Sequence, residues 1–101
     1  MPSELQSARS GLHAIAAELI RHAPPQEAAE VAWALASGAA VAERTRVLGL
    51  TEGVLRVEVA DAGWRAQLAE FTPRYLAAIN KLWPQGEVSR IELVVARRKA
   101  P

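Results

Sequence analysis

The sequence predicts an α+β domain in the order α-α-β-β-α-β, with helices packed on one face of a three-stranded sheet. Three observations carry that expectation. Apolar residues recur at helical steps of three or four as far as Arg44, after which Arg46-Val47-Leu48-Gly49-Leu50 and Val54-Leu55-Arg56-Val57-Glu58-Val59 read as two short strands, the second alternating apolar and charged residues. After a second helical stretch the alternation returns between Val88 and Ala96.

The first helix is expected over about residues 4–22. Ser3-Glu4-Leu5-Gln6 has the form of a capping box, and Leu5, Ala8, Leu12, Ile15 and Leu19 then follow at steps of three or four. Ala23-Pro24-Pro25 stops it, because proline has no amide to donate and restricts the residue before it. The apolar stripe has two readings: packing onto the core, or a partner-docking helix behind a proline hinge. A second helix is expected from Gln26 to Glu43, with Val31, Leu35, Gly38 and Ala42 on one face and Trp33 off that face, covering an edge. Gly38 inside a helix suggests the close approach of another element.

Two short strands come next, joined by a turn at Thr51-Glu52-Gly53. In the second, Leu55, Val57 and Val59 share one face while Arg56 and Glu58 share the other, the pattern of a sheet buried on one side. Asp61 is placed to cap the following helix, which carries Trp64, Leu68, Phe71, Tyr75, Ile79 and Leu82 on its apolar stripe. Thr72-Pro73 has the residue types of an N-cap and first helical position, so a kink or two short helices are expected there. Pro84-Gln85-Gly86 ends the helix, and Val88–Ala96 forms the last strand with Ile91, Leu93 and Val95 inward.

Size and composition bound the rest. The chain of 101 residues is expected to form a single domain over residues 1–101. Within it, residues 1–25 make an N-terminal helix and proline hinge, 26–96 the core, and 97–101 a short basic tail. Twenty-one alanines bury little area, so leucine, isoleucine, valine and the five aromatics must supply the core. The balance of 12 Lys+Arg against 11 Asp+Glu is not that of a protein that coats nucleic acid by bulk charge. With no cysteine, disulfides, thiolate nucleophiles and Cys-ligated metals are excluded. No stretch approaches the ~20 apolar residues of a membrane span, and residues 1–12 do not read as a secretory signal. A cytoplasmic protein with no membrane association is expected.

Catalytic motifs are lacking, and the expectation is a protein that is not an enzyme and needs no cofactor. His13 and His22 stand nine residues apart, too far for an i, i+4 metal pair, so no metal site is expected. Gly49 and Gly53 flank a hairpin rather than forming a phosphate loop, and Ser10 and Ser37 have no nucleophile-elbow context. Glu43, Glu52, Glu58, Asp61, Glu70, Glu87 and Glu92 are scattered and read as solvated surface. Basic residues are more suggestive. Arg46, Arg56 and Arg90 lie in strands, and Arg97, Arg98 and Lys99 follow the last one, a pattern that would let them line a sheet face and contact phosphates. Glu58 and Glu92 are interleaved with them and weaken the field, so a mixed solvated face is the competing reading. Trp33, Trp64 and Trp83 read as core or rim packing, with an exposed one pointing to an interaction surface.

A dispersed pattern runs through the middle of the chain: Trp33, Gly38, Val41-Ala42, Thr45, Leu50, Glu52-Gly53-Val54-Leu55, Val57, Val59, Trp64, Gln67-Leu68, Pro73, Leu76 and Ile79-Asn80. It resembles the DciA family over about residues 31–95. The resemblance implies a KH-like core that engages a DnaB-type replicative helicase in replication initiation, with single-stranded or forked DNA as a second ligand. It implies a partner-contact role for Trp64, at the opening of the helix after the hairpin, and Trp33 joins it as a candidate. The Gly-x-x-Gly clamp of RNA-binding KH domains is absent. Many members carry a long basic extension, whereas this chain ends six residues after Val95, so weak DNA binding is expected. The alternative is a stand-alone nucleic-acid-binding domain, for single-stranded DNA or RNA, using the arginine-bearing sheet face.

Overall fold

The structure is a computed structural model and describes residues 14–97. The proposed capping box at Ser3, the apolar residues Leu5, Ala8 and Leu12, and the basic residues Arg98 and Lys99 lie outside the described residues. Among those described, five α-helices and a three-stranded sheet make a mixed α+β architecture. Helix α1 covers residues 14–22, α2 Pro25–Ser37 and α3 Ala39–Ala42. The hairpin β1 (Thr45–Thr51) and β2 (Val54–Val59) follows, then α4 (Ala62–Ala69) and α5 (Thr72–Leu82). A short 3-10 turn at Pro84–Gly86 leads into β3 (Arg90–Val95).

Strand β2 is central. It pairs antiparallel with β1 and parallel with β3, so α4 and α5 form the crossover that returns the chain to the sheet in the same direction. The hairpin loop is only Glu52-Gly53, with φ of 50° and 79°, the two positive values a type I′ turn requires. Gly53 is fixed twice over. Its carbonyl accepts from the amides of Ser89 and Arg90, and an added Cβ would meet Ser89 Oγ at 2.7 Å.

Leu55, Val57 and Val59 are buried, as the alternation predicts, and with Ile20, Ala28, Ala29, Ala32, Trp33, Tyr75, Ile79 and Leu82 they form the core. Helical faces differ from expectation at two places. In α1 it is Ala16 and Ile20 that pack inward, while Ile15 and Leu19 are 60% and 62% exposed. In α2 the inward face is Ala28, Ala29, Ala32 and Trp33, and Leu35 stands outside. The reason is the same in both: alanines let a helix approach its neighbours closely, and Trp33 then supplies the area that leucine was expected to supply. Its ring meets Tyr75 of α5 edge-on at 5.3 Å.

Three boundaries also shift. The expected second helix divides at Gly38, whose φ of 92° ends α2, and an added Cβ there would touch nothing within 4 Å, so backbone conformation rather than close approach explains this glycine. The break before Pro73 does yield two helices, but Thr72 is the first residue of α5 rather than its cap, and its hydroxyl donates to the Ala69 carbonyl. Strand β3 begins at Arg90, two residues later than expected, because Val88 is buried ahead of it and Ser89 is tied to the hairpin loop.

Candidate functional site

Strand alternation places Arg46, Arg56, Glu58, Arg90 and Glu92 on the sheet face opposite the core, and the register decides who meets whom. Arg46 stands across from Glu58, and Arg56 across from Glu92. Arg56 donates to Glu92 Oε1 from Nη2 at 3.0 Å and from Nε at 3.2 Å, Arg90 reaches Glu92 Oε2 at 3.4 Å, and Arg46 lies 3.9 Å from Glu58. The three arginines predicted from the strands therefore share one face, and each has a carboxylate within reach. Exposed pairs of this kind contribute under about 1 kcal/mol each to stability. Their larger effect is on the field, since two carboxylates among three guanidinium groups leave a weak attraction for phosphate. Arg97 is exposed just beyond β3.

The three tryptophans occupy different environments. Trp83 is buried. Trp33, expected at an edge and as a partner contact, is 2% exposed, and its Nε1 donates to Thr45 Oγ1 at 2.8 Å inside the protein. A side chain so enclosed has no surface to offer a partner in this conformation. Trp64 differs from both, for it packs against the core yet stays half-buried at the start of α4. Its position is set by Asp61, whose Oδ1 accepts from the Trp64 amide at 2.9 Å and caps the helix. The Arg44 guanidinium lies 5.8 Å from the ring centroid, in cation–π range. Arg44 sits between α3 and β1, so the chain brings a cation and an aromatic together from elements on either side of the hairpin.

Nothing in the described residues assembles for catalysis by a metal: no group of three or more His, Cys, Asp or Glu is placed to hold an ion. His22 faces Glu18 at 3.1 Å on the surface of α1, and His13 lies outside the described residues. No charged or polar side chain among those described is buried. An open groove of about 470 Å³ lies between α4 and β3, lined by Ala62, Arg65, Ala66 and Ala69 on one side and by Arg90, Ile91 and Leu93 on the other. No helix among the described residues is long and apolar enough to cross a membrane.

Sequence reasoning gave no role to Arg44 or Arg65, and named Thr45 only as part of the dispersed pattern. Arg44 stood two residues before the strand pattern, and Arg65 had no periodic signal because its groove exists only once the crossover returns β3 beside β2. Thr45 carried one usable hint, a hydroxyl at the entry to a strand twelve residues after a tryptophan.

Against known families, a family model described as Dna[CI] antecedent, DciA, matches residues 9–93. No curated protein matches the sequence.

Proposed function

This chain belongs to the DciA family, and from that membership we propose that it is a non-enzymatic adaptor that recruits or loads a DnaB-type replicative helicase in the cytoplasm. The family relation points to replication and to the replicative helicase as partner. On this reading the core is KH-like: hairpin, two-helix crossover and parallel third strand support that assignment. The single observation that carries the contact site is Trp64, half-buried with Arg44 over its ring while the other two tryptophans are enclosed. An amphipathic ring at the surface, held by a capped helix and flanked by a cation, has the composition of an interaction hot spot.

Single-stranded or forked DNA is the second ligand on this reading, held weakly by Arg46, Arg56, Arg90, Arg97, Arg98 and Lys99. The turn between α4 and α5, Glu70-Phe71, has no glycine with which to clamp a nucleic-acid backbone, and Glu58 and Glu92 offset the strand arginines. Both features support low affinity.

The test is to mix the protein with the DnaB-type helicase of its own source and follow the complex by light scattering on a sizing column. Wild type forms a complex, and Trp64→Ala and Arg44→Glu, checked by circular dichroism for folding, lose it. Absence of a complex with wild type under every nucleotide and salt condition withdraws the helicase role. The second reading, a stand-alone nucleic-acid-binding domain, draws on the shared face of Arg46, Arg56 and Arg90; reversing the charge of all three leaves binding unchanged if that reading is wrong.

A further inference from the structure

The two edges of the sheet are unlike. On β1 the register breaks at a bulge between Val47 and Gly49, and the Val47 carbonyl already accepts from Gln26 Nε2 at 3.0 Å. A bulged, capped edge is a poor template for another strand. On β3 the Arg90 amide donates to Gly53 and the Ala96 amide to Val59, so the even-numbered residues turn their backbone groups toward β2. Backbone alternation then turns the N–H and C=O of Ile91, Leu93 and Val95 away from the sheet. Those residues are half-buried, the groove beside them is walled by alanines of α4, and their outward backbone groups meet no hydrogen-bond partner among the described residues.

We propose that β3 pairs antiparallel with β3 of a second copy about a two-fold axis at Leu93, joining two three-stranded sheets into one of six strands. The occupant follows from the strand's own symmetry. With Leu93 on the axis, the outward backbone groups of Ile91, Leu93 and Val95 meet those of Val95, Leu93 and Ile91 of the second copy, so every one is satisfied. Side chains agree with that register: Leu93 meets Leu93 and Ile91 meets Val95 on the inner face, while Glu92 stands opposite Val94 on the outer. Moving the axis to Glu92 would bring Glu92 against Glu92 of the second copy, which is disfavoured, and moving it to Val94 would set Ile91 against Arg97, beyond the end of the strand. In the proposed register Glu92 keeps its ion pairs to Arg56 and Arg90 of its own chain. A closed two-fold contact of this kind consumes the open edge instead of propagating it.

Val94 gives a test whose sign depends on the register, because its side chain points away from the core and faces Glu92 of the second copy. Sedimentation equilibrium across a wide concentration range is expected to show a reversible dimer of the 10.9 kDa chain. Val94→Glu places a carboxylate opposite Glu92 twice per dimer and weakens association at least tenfold, whereas Val94→Lys at the same position maintains or tightens it. Thermal unfolding of both variants at a dilution where the protein is monomeric verifies that each is folded. A wild type that stays monomeric at millimolar concentration overturns the proposal, as does a dimer that both variants leave unchanged, which would place the contact on another surface.

Discussion

Trp33 Nε1 donates a 2.8 Å hydrogen bond to Thr45 Oγ1, and Thr45 in turn donates to the Val41 carbonyl at 2.8 Å. One threonine thus joins the largest core side chain of α2 to the chain just before β1. It is the element that sets how the helical layer meets the hairpin.

Replacing that threonine tests the contact. Thr45→Val keeps the shape and the strand preference but leaves the indole N–H in the core without an acceptor, a loss of about 1–3 kcal/mol. Thr45→Ser retains the hydroxyl and is expected to lose less. Urea unfolding midpoints of the two variants check this, and a Thr45→Ser variant that loses more than Thr45→Val would mean that the methyl group rather than the hydrogen bond matters.

Gly86 is confined by Trp83. An added Cβ would sit 2.6 Å from Cε3 of the ring, closer than side-chain carbons approach one another, and Trp83 is buried with little room to retreat. Gly86→Ala is therefore expected to cost about 1–3 kcal/mol through overpacking. The cause is identified by a double-mutant cycle: in a Trp83→Leu background the penalty for Gly86→Ala should largely vanish. Persistence of the full penalty would point to backbone strain in the 3-10 turn instead.

The hairpin loop offers a change in the opposite direction. Glu52 holds a φ of 50° beside Gly53, a conformation that asparagine adopts more readily than glutamate. Glu52→Asn creates the favoured Asn-Gly pair and is expected to raise stability by a few tenths to about 1 kcal/mol. Thermal melts compared at equal protein concentration read it directly, and a lower midpoint would show that the Glu52 side chain has a stabilising role of its own.

The strands were legible in the sequence because one buried face imposes a period of two, and Leu55, Val57 and Val59 obey it without interruption. The break before Pro73 was legible for a similarly local reason. Helix faces were not. Ile15, Leu19 and Leu35 are large apolar residues, yet they face outward because tertiary packing selected the faces made by Ala16 with Ile20 and by Ala28, Ala29 and Ala32 with Trp33. Site residues show the same division. Alternation placed Arg46, Arg56 and Arg90 on one face, but which glutamate meets which arginine depends on a strand register fixed by the hairpin loop and by the crossover. The pairing of Arg44 with Trp64 joins residues twenty positions apart from different elements, and no spacing rule announces it.

The charge balance of the sheet face decides what it can bind, and it can be altered without touching the core. Glu58→Gln and Glu92→Gln together remove two carboxylates while leaving Arg46, Arg56 and Arg90 in place. Because these pairs are largely exposed, the change in stability is expected to stay under about 1 kcal/mol per pair. The effect on nucleic acid should be larger, since every cation freed for a phosphate releases counterions from the strand. Affinity for a single-stranded oligonucleotide is expected to rise, and the fall of log K with log salt to steepen by roughly 0.7 for each phosphate newly contacted. The measurement is a fluorescence anisotropy titration at several salt concentrations. An unchanged slope in the folded double variant would remove this face from nucleic-acid binding and leave any DNA contact to the basic residues that follow β3.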